Sequence, residues 1–151
     1  MTTYAPARSR DQRRQDVHER LAKDEDAWVA TAAADGDPCL VPLSFVWHAG
    51  TLLMCTRRTN PTARNLTPSG PVRVTLGHTR DVVLVEGTAE TVAGRELPAE
   101  AADAFAAKLR WDPRDREPWV YVRITPHVVK AWQEENELAG RELMRDGVWL
   151  D

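Results

Sequence analysis

Residues 27 to 58 read AWVATAAADGDPCLVPLSFVWHAGTLLMCTRR, three apolar stretches separated by gaps too short to hold a helix. That spacing limits the fold more than any other feature of the chain. A parallel connection needs a crossover of about a dozen residues or more, usually a helix. Neither Asp35-Gly36-Asp37-Pro38 nor Ala49-Gly50 leaves room for one, and both are turn signals. Three consecutive antiparallel strands follow, and a doubly wound parallel sheet is excluded. With Ala49-Gly50 as a two-residue turn, His48 faces Thr51 and Ser44 faces Cys55. Cys39 then lies about five residues along the strand, at ~3.3 Å each, beyond the ~7 Å between Cα atoms that a disulfide allows. Both cysteines are expected to stay reduced, and two are too few for a disulfide framework or a zinc site.

The rest of the chain continues the pattern with helices between strand pairs. Ser9 and Gln12 form a capping-box pair, and Val17 and Leu21 recur at helical spacing, so a surface helix is predicted over about 10–24. Asn60-Pro61 starts a short helix, with Asn as N-cap and Pro first inside, closed by Pro68, Gly70 and Pro71. VRVTLG (72–77) and DVVLVEGTAETV (81–92) are β-branched strands joined by His78-Thr79-Arg80. LPAEAADAFAAKLRW (97–111) is an alanine-rich helix with Ala101, Phe105 and Leu109 on one face. PWVYVRITPHVVKAW (118–132) is a strand that Pro126 bends or confines to an edge. Residues 1–9 are expected as a loose tail, and 133–151 as a mixed, partly helical C-terminal extension of a single 1–151 domain. About six antiparallel strands close on themselves as a barrel, with the inserted helices plugging its ends.

Composition enters by exclusion. A formal net charge of −3 gives no broad attraction to nucleic acid. No run of 18 apolar residues can span a membrane, and the N-terminus carries no apolar secretory stretch, so cytoplasm is the expected compartment. The four histidines lack metal-ligand spacing, and no metal is expected. No nucleophile elbow, phosphate-cradling glycine loop or dinucleotide fingerprint occurs. Catalytic side chains are therefore unidentified, and any chemistry falls to a cofactor. Six tryptophans, including Trp132 and Trp149, fill core and subunit contacts or stack on a planar ligand.

One segment stands out. CTRRTNPTARNL (55–66) gathers Arg57, Arg58 and Arg64 where a strand becomes a helix. Guanidinium groups beside a helix N-terminus make a sensible phosphate grip. A solvated turn would carry the same residues, and the pattern alone leaves both readings open.

The order of these pieces resembles the pyridoxamine 5'-phosphate oxidase-like family, the FMN-binding split barrels, especially their small actinobacterial members. The likeness covers roughly residues 12–132: WVATAAADGDPCLVPLSFVW, then LLMCTRRTNPTARNL, VRVTLG with RDVVLVEGTAE, and YVRITPHVVKAW. It implies a mainly β, six-stranded antiparallel split barrel with flanking helices, paired as a homodimer with two cofactor sites at the interface. The cofactor would be FMN or, as in many actinobacterial relatives, the deazaflavin coenzyme F-420. Carried over by position, Thr56, Arg57 and Arg58 would approach the phosphate and ribityl chain, with Thr62, Arg64 and Asn65 joining from the next helix. Pro42, Leu43 and Ser44 would run along the ring edge with Met54 and Cys55 beneath, and Trp132 or Trp149 of a second copy would cover it. Thr62 stands where many relatives have lysine, so Arg57, Arg58 or Arg64 must supply that charge. The residues that bind the pyridoxal ring in the vitamin oxidases are not recognisable. The implied activity is hydride transfer between the cofactor and a small planar substrate. The alternatives are a carrier of flavin, deazaflavin or haem without turnover, and a dimeric interaction module that has lost its cofactor.

Overall fold

The computed structural model describes residues 3–151. The first helix, α1 (Arg10–Lys23), starts where the capping pair places it: the Ser9 side chain accepts from the Gln12 backbone N–H at 3.1 Å. It buries Val17 and Leu21, and also Arg13, against the sheet. The strands β1 (Asp26–Ala32), β2 (Pro38–His48) and β3 (Thr51–Arg57) follow, then a single-turn helix α2 (Pro61–Asn65). Next come β4 (Ser69–Leu76), β5 (Val82–Val92), α3 (Ala99–Leu109) and the long β6 (Trp119–Trp132). Two short strands, β7 (Glu142–Arg145) and β8 (Val148–Trp149), end the chain.

All pairings are antiparallel, in the order β3-β2-β1-β4-β5-β6, and β3 pairs with β6 to close a six-stranded barrel. The closure explains one departure from the expected register. His48 faces Thr51 as the turn requires, with Ala49 and Gly50 at φ 50° and 77°. The β2–β3 pairing stops at Phe45 and Met54, however, so Ser44 does not face Cys55. Ser44 pairs with Asp26 of β1, and its hydroxyl donates to the Asp26 carboxylate at 2.6 Å. A closed barrel forces this exchange: β2 serves β1 with its first half and β3 with its second, while β3 peels away toward β6.

The inner faces of the barrel meet in one core that includes Val29, Phe45, Leu52, Met54, Leu66, Val74, Val85 and Ile124. Aliphatic burial of this kind contributes roughly 1.5–3 kcal/mol per large side chain before chain entropy is counted. The second core lies outside the barrel. There α3 lays Ala101, Ala102 and Phe105 over Val46, Leu53, Cys55 and Tyr121. Helix α3 thus covers the barrel wall and does not plug its end; α2 is the helix that packs at one end, against β1, β2 and β3.

Pro126 bends β6 as its missing N–H requires. The register shifts between Glu86 and Gly87, leaving His127 as the extra residue opposite β5. A Cβ on Gly87 would overlap the Thr125 carbonyl, so only glycine fits where the two strands approach this closely.

Both termini depart from expectation. Residues 1–2 of the expected loose tail lie outside the described residues. The remainder is tied down: the Arg8 backbone N–H and guanidinium donate to Glu137 at 2.8–3.0 Å, and Tyr4 donates to Glu135 at 3.0 Å. The extension after Trp132 has only a 3-10 turn at Glu135–Glu137, then a hairpin laid on β6. Asp146 and Gly147 form its turn at φ 52° and 76°. Asp-Gly is the strongest short-range hairpin signal, and the flanking ELMR and VW are what it joins.

Candidate functional site

The segment 55–66 divides into a polar cluster turned inward and arginines turned outward. Strand alternation sets the first division. Met54 belongs to the barrel core, 0% exposed, while Cys55 points the opposite way, under α3. The two side chains therefore cannot both lie beneath one ring, and neither is open to a ligand in the single chain. Burial also pushes the Cys55 thiol up to about 12. Leu43 likewise packs toward the barrel core, between Pro42 and Ser44, which are exposed.

Helix α2 seats its small polar residues against the barrel end. Thr56 is buried, and its hydroxyl accepts from the Asn60 side-chain amide at 2.9 Å. Asn60 holds the N-cap position but spends its side chain on Thr56, making no cap hydrogen bond. Asn65 donates to Thr31 at 3.1 Å, and Thr62, 2% exposed, lies 3.8 Å from the Cys39 sulfur. Thr56, Thr62 and Asn65 thus each find a partner within the protein, in Asn60, Cys39 and Thr31. With five residues, α2 has too little aligned backbone to supply the anion-binding dipole expected of a helix start.

The three arginines remain. Arg58 is fixed by its backbone N–H, which donates to the Pro118 carbonyl at 2.9 Å, and by its Nε, which donates to the Glu117 carbonyl at 2.7 Å. The Arg57 guanidinium stacks 4.9 Å from the Trp119 ring centroid. Among the described residues no carboxylate pairs with Arg57, Arg58 or Arg64. Arg58 and Arg64 line an open cavity of about 370 Å³ with Thr67, Thr91 and Val120. Sequence reasoning found the arginines and missed Thr67, Thr91 and Val120. Val120 reaches the site only because β3 pairs with β6, a contact across more than 60 residues that no local pattern announces. Thr91 arrives with β5, whose pairing with β4 sets it 3.1 Å from Thr67. Thr67 carried a weak signal in its place just after Asn65-Leu66.

Trp132 lies elsewhere. It ends β6 opposite Val82, whereas Arg57 faces Trp119 at the other end of that strand. Trp149 packs against His18 at 4.7 Å and under Arg14 at 5.0 Å. One chain does not bring either tryptophan to the arginine cavity.

The family model described as pyridoxamine 5'-phosphate oxidase matches residues 14–133. No curated protein sequence matches. Solved structures share the fold at low identity. A putative pyridoxamine 5'-phosphate oxidase from Listeria innocua superposes with TM-score 0.64 and 14% identity, over 80% of this chain and 98% of that one. An F420 reductase gives 0.59 and 19%, over 74% and 94%. The haem storage protein HutZ from Vibrio cholerae gives 0.58 and 16%, over 75% and 89%.

Proposed function

The chain belongs to the pyridoxamine 5'-phosphate oxidase-like family of split barrels, and from that premise we propose that it is a flavin-type oxidoreductase using FMN or the deazaflavin coenzyme F-420. One observation carries the reading. Arg58 and Arg64, which pair with no carboxylate among the described residues, line an open cavity, and Arg57 precedes Arg58 at the end of β3. Unpaired cations are normal on a surface, but here Arg58 is held in place by two backbone carbonyls and Arg57 by an aromatic face. Such pre-positioned guanidinium groups bind a phosphate at little ordering cost. They also supply the charge that Thr62, buried and neutral, does not.

The cofactor would contribute hydride transfer at its ring; the protein's own share is binding and orientation. Arg58 and Arg64 hold the phosphate, while Thr67 and Thr91, whose hydroxyl groups bond to the Ala63 carbonyl and to each other at 2.7 and 3.1 Å, wall the cavity beside it. Pro42 and Ser44 form the exposed strand surface along which the ring would lie, and a small planar substrate would stack on its open side.

The shared site requires a second copy, which we include in the proposal. Trp28 and Leu40 are 46% and 63% exposed, and Trp28 pairs with Pro42 as Ala30 pairs with Leu40. These residues fall on one outward face of β1 and β2, an apolar surface suited to burial against another subunit. A second copy is also the only source from which Trp132 could reach the ring. Light scattering should give twice the 17.0 kDa chain mass, and a monomer at micromolar concentration would refute the shared site.

Among carriers, haem is the less supported ligand. No histidine lines the arginine cavity, and His18 sits between Trp47 and Trp149. Absorbance spectra after incubation with FMN, coenzyme F-420 and haem in turn, each followed by removal of excess, test the assignment. A retained flavin or deazaflavin band supports it, and a Soret band alone would replace it with a haem carrier.

A further inference from the structure

Residues 110–118 join α3 to β6, and none of them lines the arginine cavity. Their backbone nevertheless fixes its best-anchored arginine. The β3–β6 ladder ends at Arg57 and Trp119. Beyond it the Arg58 backbone N–H donates to the Pro118 carbonyl at 2.9 Å, and the Arg58 Nε donates to the Glu117 carbonyl at 2.7 Å. The same segment leads into Trp119, whose ring centroid lies 4.9 Å from the Arg57 guanidinium and is backed edge-on by Trp111 at 5.0 Å. Arg57 and Arg58 thus take their places from one loop and the first residue after it. Arg64 belongs to α2, and its backbone N–H donates to Asn60 instead.

A close backbone contact holds the loop. A Cβ on Gly94, in the turn after β5, would overlap the Arg114 carbonyl. Gly94 does not lie in the left-handed region, so space alone demands glycine there. Two consecutive turns follow, closed by the Arg116 and Trp119 N–H groups on the Pro113 and Arg116 carbonyls at 3.0 Å each. The Arg114 side chain adds pairs with Asp103 of α3 and with Asp112, at 2.7 and 2.8 Å. Both carboxylates are exposed, and pairs of that kind contribute little. The Gly94 approach is therefore the contact that decides where Glu117 and Pro118 stand.

We propose that residues 110–118 are the positioning element of the phosphate grip, with Gly94 and Trp119 as its positioning residues. Gly94 sets Arg58 through the Glu117 and Pro118 carbonyls, and Trp119 sets Arg57 through its ring. The inference rests on the cofactor reading for its ligand, and adds that part of the affinity resides in a loop outside the cavity. A free arginine must be immobilised when an anion binds, whereas one already held has met that cost on folding.

Gly94→Ala removes no charge and no hydrogen-bonding side chain, but it must push the Arg114 carbonyl away. Affinity for FMN or coenzyme F-420, whichever the wild type retains, should fall about threefold to tenfold, the cost of immobilising one long side chain anew. In an Arg58→Ala background the same substitution should cost less than about twofold, and in an Arg64→Ala background as much as in the wild type. A merely structural glycine would weaken binding equally in each background, and that result overturns the proposal. Trp119→Leu should weaken binding about twofold to fivefold through Arg57, with Trp119→Phe restoring most of it. This pair decides if Gly94→Ala does not fold, and equal affinity of the two Trp119 variants would then overturn the proposal. A cofactor-free readout separates the inference from the reading it rests on. The Arg58 Nε–H resonance, identified by its loss in Arg58→Ala, should exchange with solvent severalfold faster in Gly94→Ala than in the wild type. Unchanged exchange overturns the positioning role. Faster exchange in a protein that binds neither cofactor upholds it and removes the cofactor reading instead.

Discussion

Arg8 and Arg13, near the N-terminus, are wrapped in hydrogen bonds, whereas Arg57 and Arg58 at the end of β3 and Arg64 in α2 pair with no carboxylate among the described residues. Arg8 holds Glu137 and Asp16 at 2.8–2.9 Å. Arg13, 5% exposed, donates to the Glu137 and Ala131 carbonyls at 2.9 and 3.2 Å. Together they fasten the chain start and the segment after Trp132 to the barrel. The same residue type therefore performs two tasks, and what separates them is the partner supplied by distant parts of the chain. An arginine enclosed by carbonyls and carboxylates is structure; one fixed in place but left without an anion is ready for a ligand.

The sharpest way to break this distinction is Arg13→Ala. It strands two buried carbonyls, so unfolding free energy should fall by about 2–4 kcal/mol. Chemical denaturation would measure the loss, while cofactor affinity below the transition should be unchanged. A neutral result would mean that the N-terminal arginines are no more structural than the exposed ones.

Acid probes the same fastening. Hydrogen bonding from Arg8 above all holds the Glu137 carboxyl down to about 2, against an ordinary value of 4.5. A depressed folded value stabilises above the unfolded one, so the contribution is complete above about pH 4.5 and is lost as pH falls toward 2. The expected loss is about 2–3 kcal/mol across that window. Glu137→Gln should flatten this part of the stability profile, and an unchanged slope would show that Glu137 is not its source.

At the other end the effect should move from stability to binding. Arg58→Ala/Arg64→Ala should lower cofactor affinity by about tenfold to a hundredfold and change stability by less than about 1 kcal/mol. The smallest contrast concerns the thiols. Cys39 is half-buried, while Cys55 lies under α3 with its thiol pushed up to about 12. A thiol reagent at neutral pH should label Cys39 first and reach Cys55 only on unfolding; equal rates would mean that α3 opens readily.

Much of the barrel was legible because short turns between apolar stretches leave only antiparallel choices. His48 facing Thr51 followed from the turn alone. The Ser44–Cys55 pairing failed because local register carries no information about where β3 leaves β2 for β6. The terminal hairpin could have been read from Asp146-Gly147, but the charged residues before it masked the signal. In the site, the sequence marked the arginine cluster without distinguishing it from a solvated turn. Alternation separates Met54 from Cys55 and Leu43 from Ser44, a constraint that a resemblance carried over residue by residue does not apply. Val120 was invisible, since only barrel closure brings it to Arg58 and Arg64, and Thr91 joins them through the pairing of β5 with β4.

The central claim is that the unpaired arginines at the end of β3 grip a cofactor phosphate. Equilibrium titration of FMN and coenzyme F-420 into the wild type and the Arg58→Ala/Arg64→Ala variant, side by side, tests it most directly. Micromolar or tighter binding of one cofactor by the wild type, weakened at least about tenfold in a variant of near-native stability, is the predicted result. Binding of neither cofactor, or equal binding by both proteins, would contradict the account and return CTRRTNPTARNL to an ordinary charged turn.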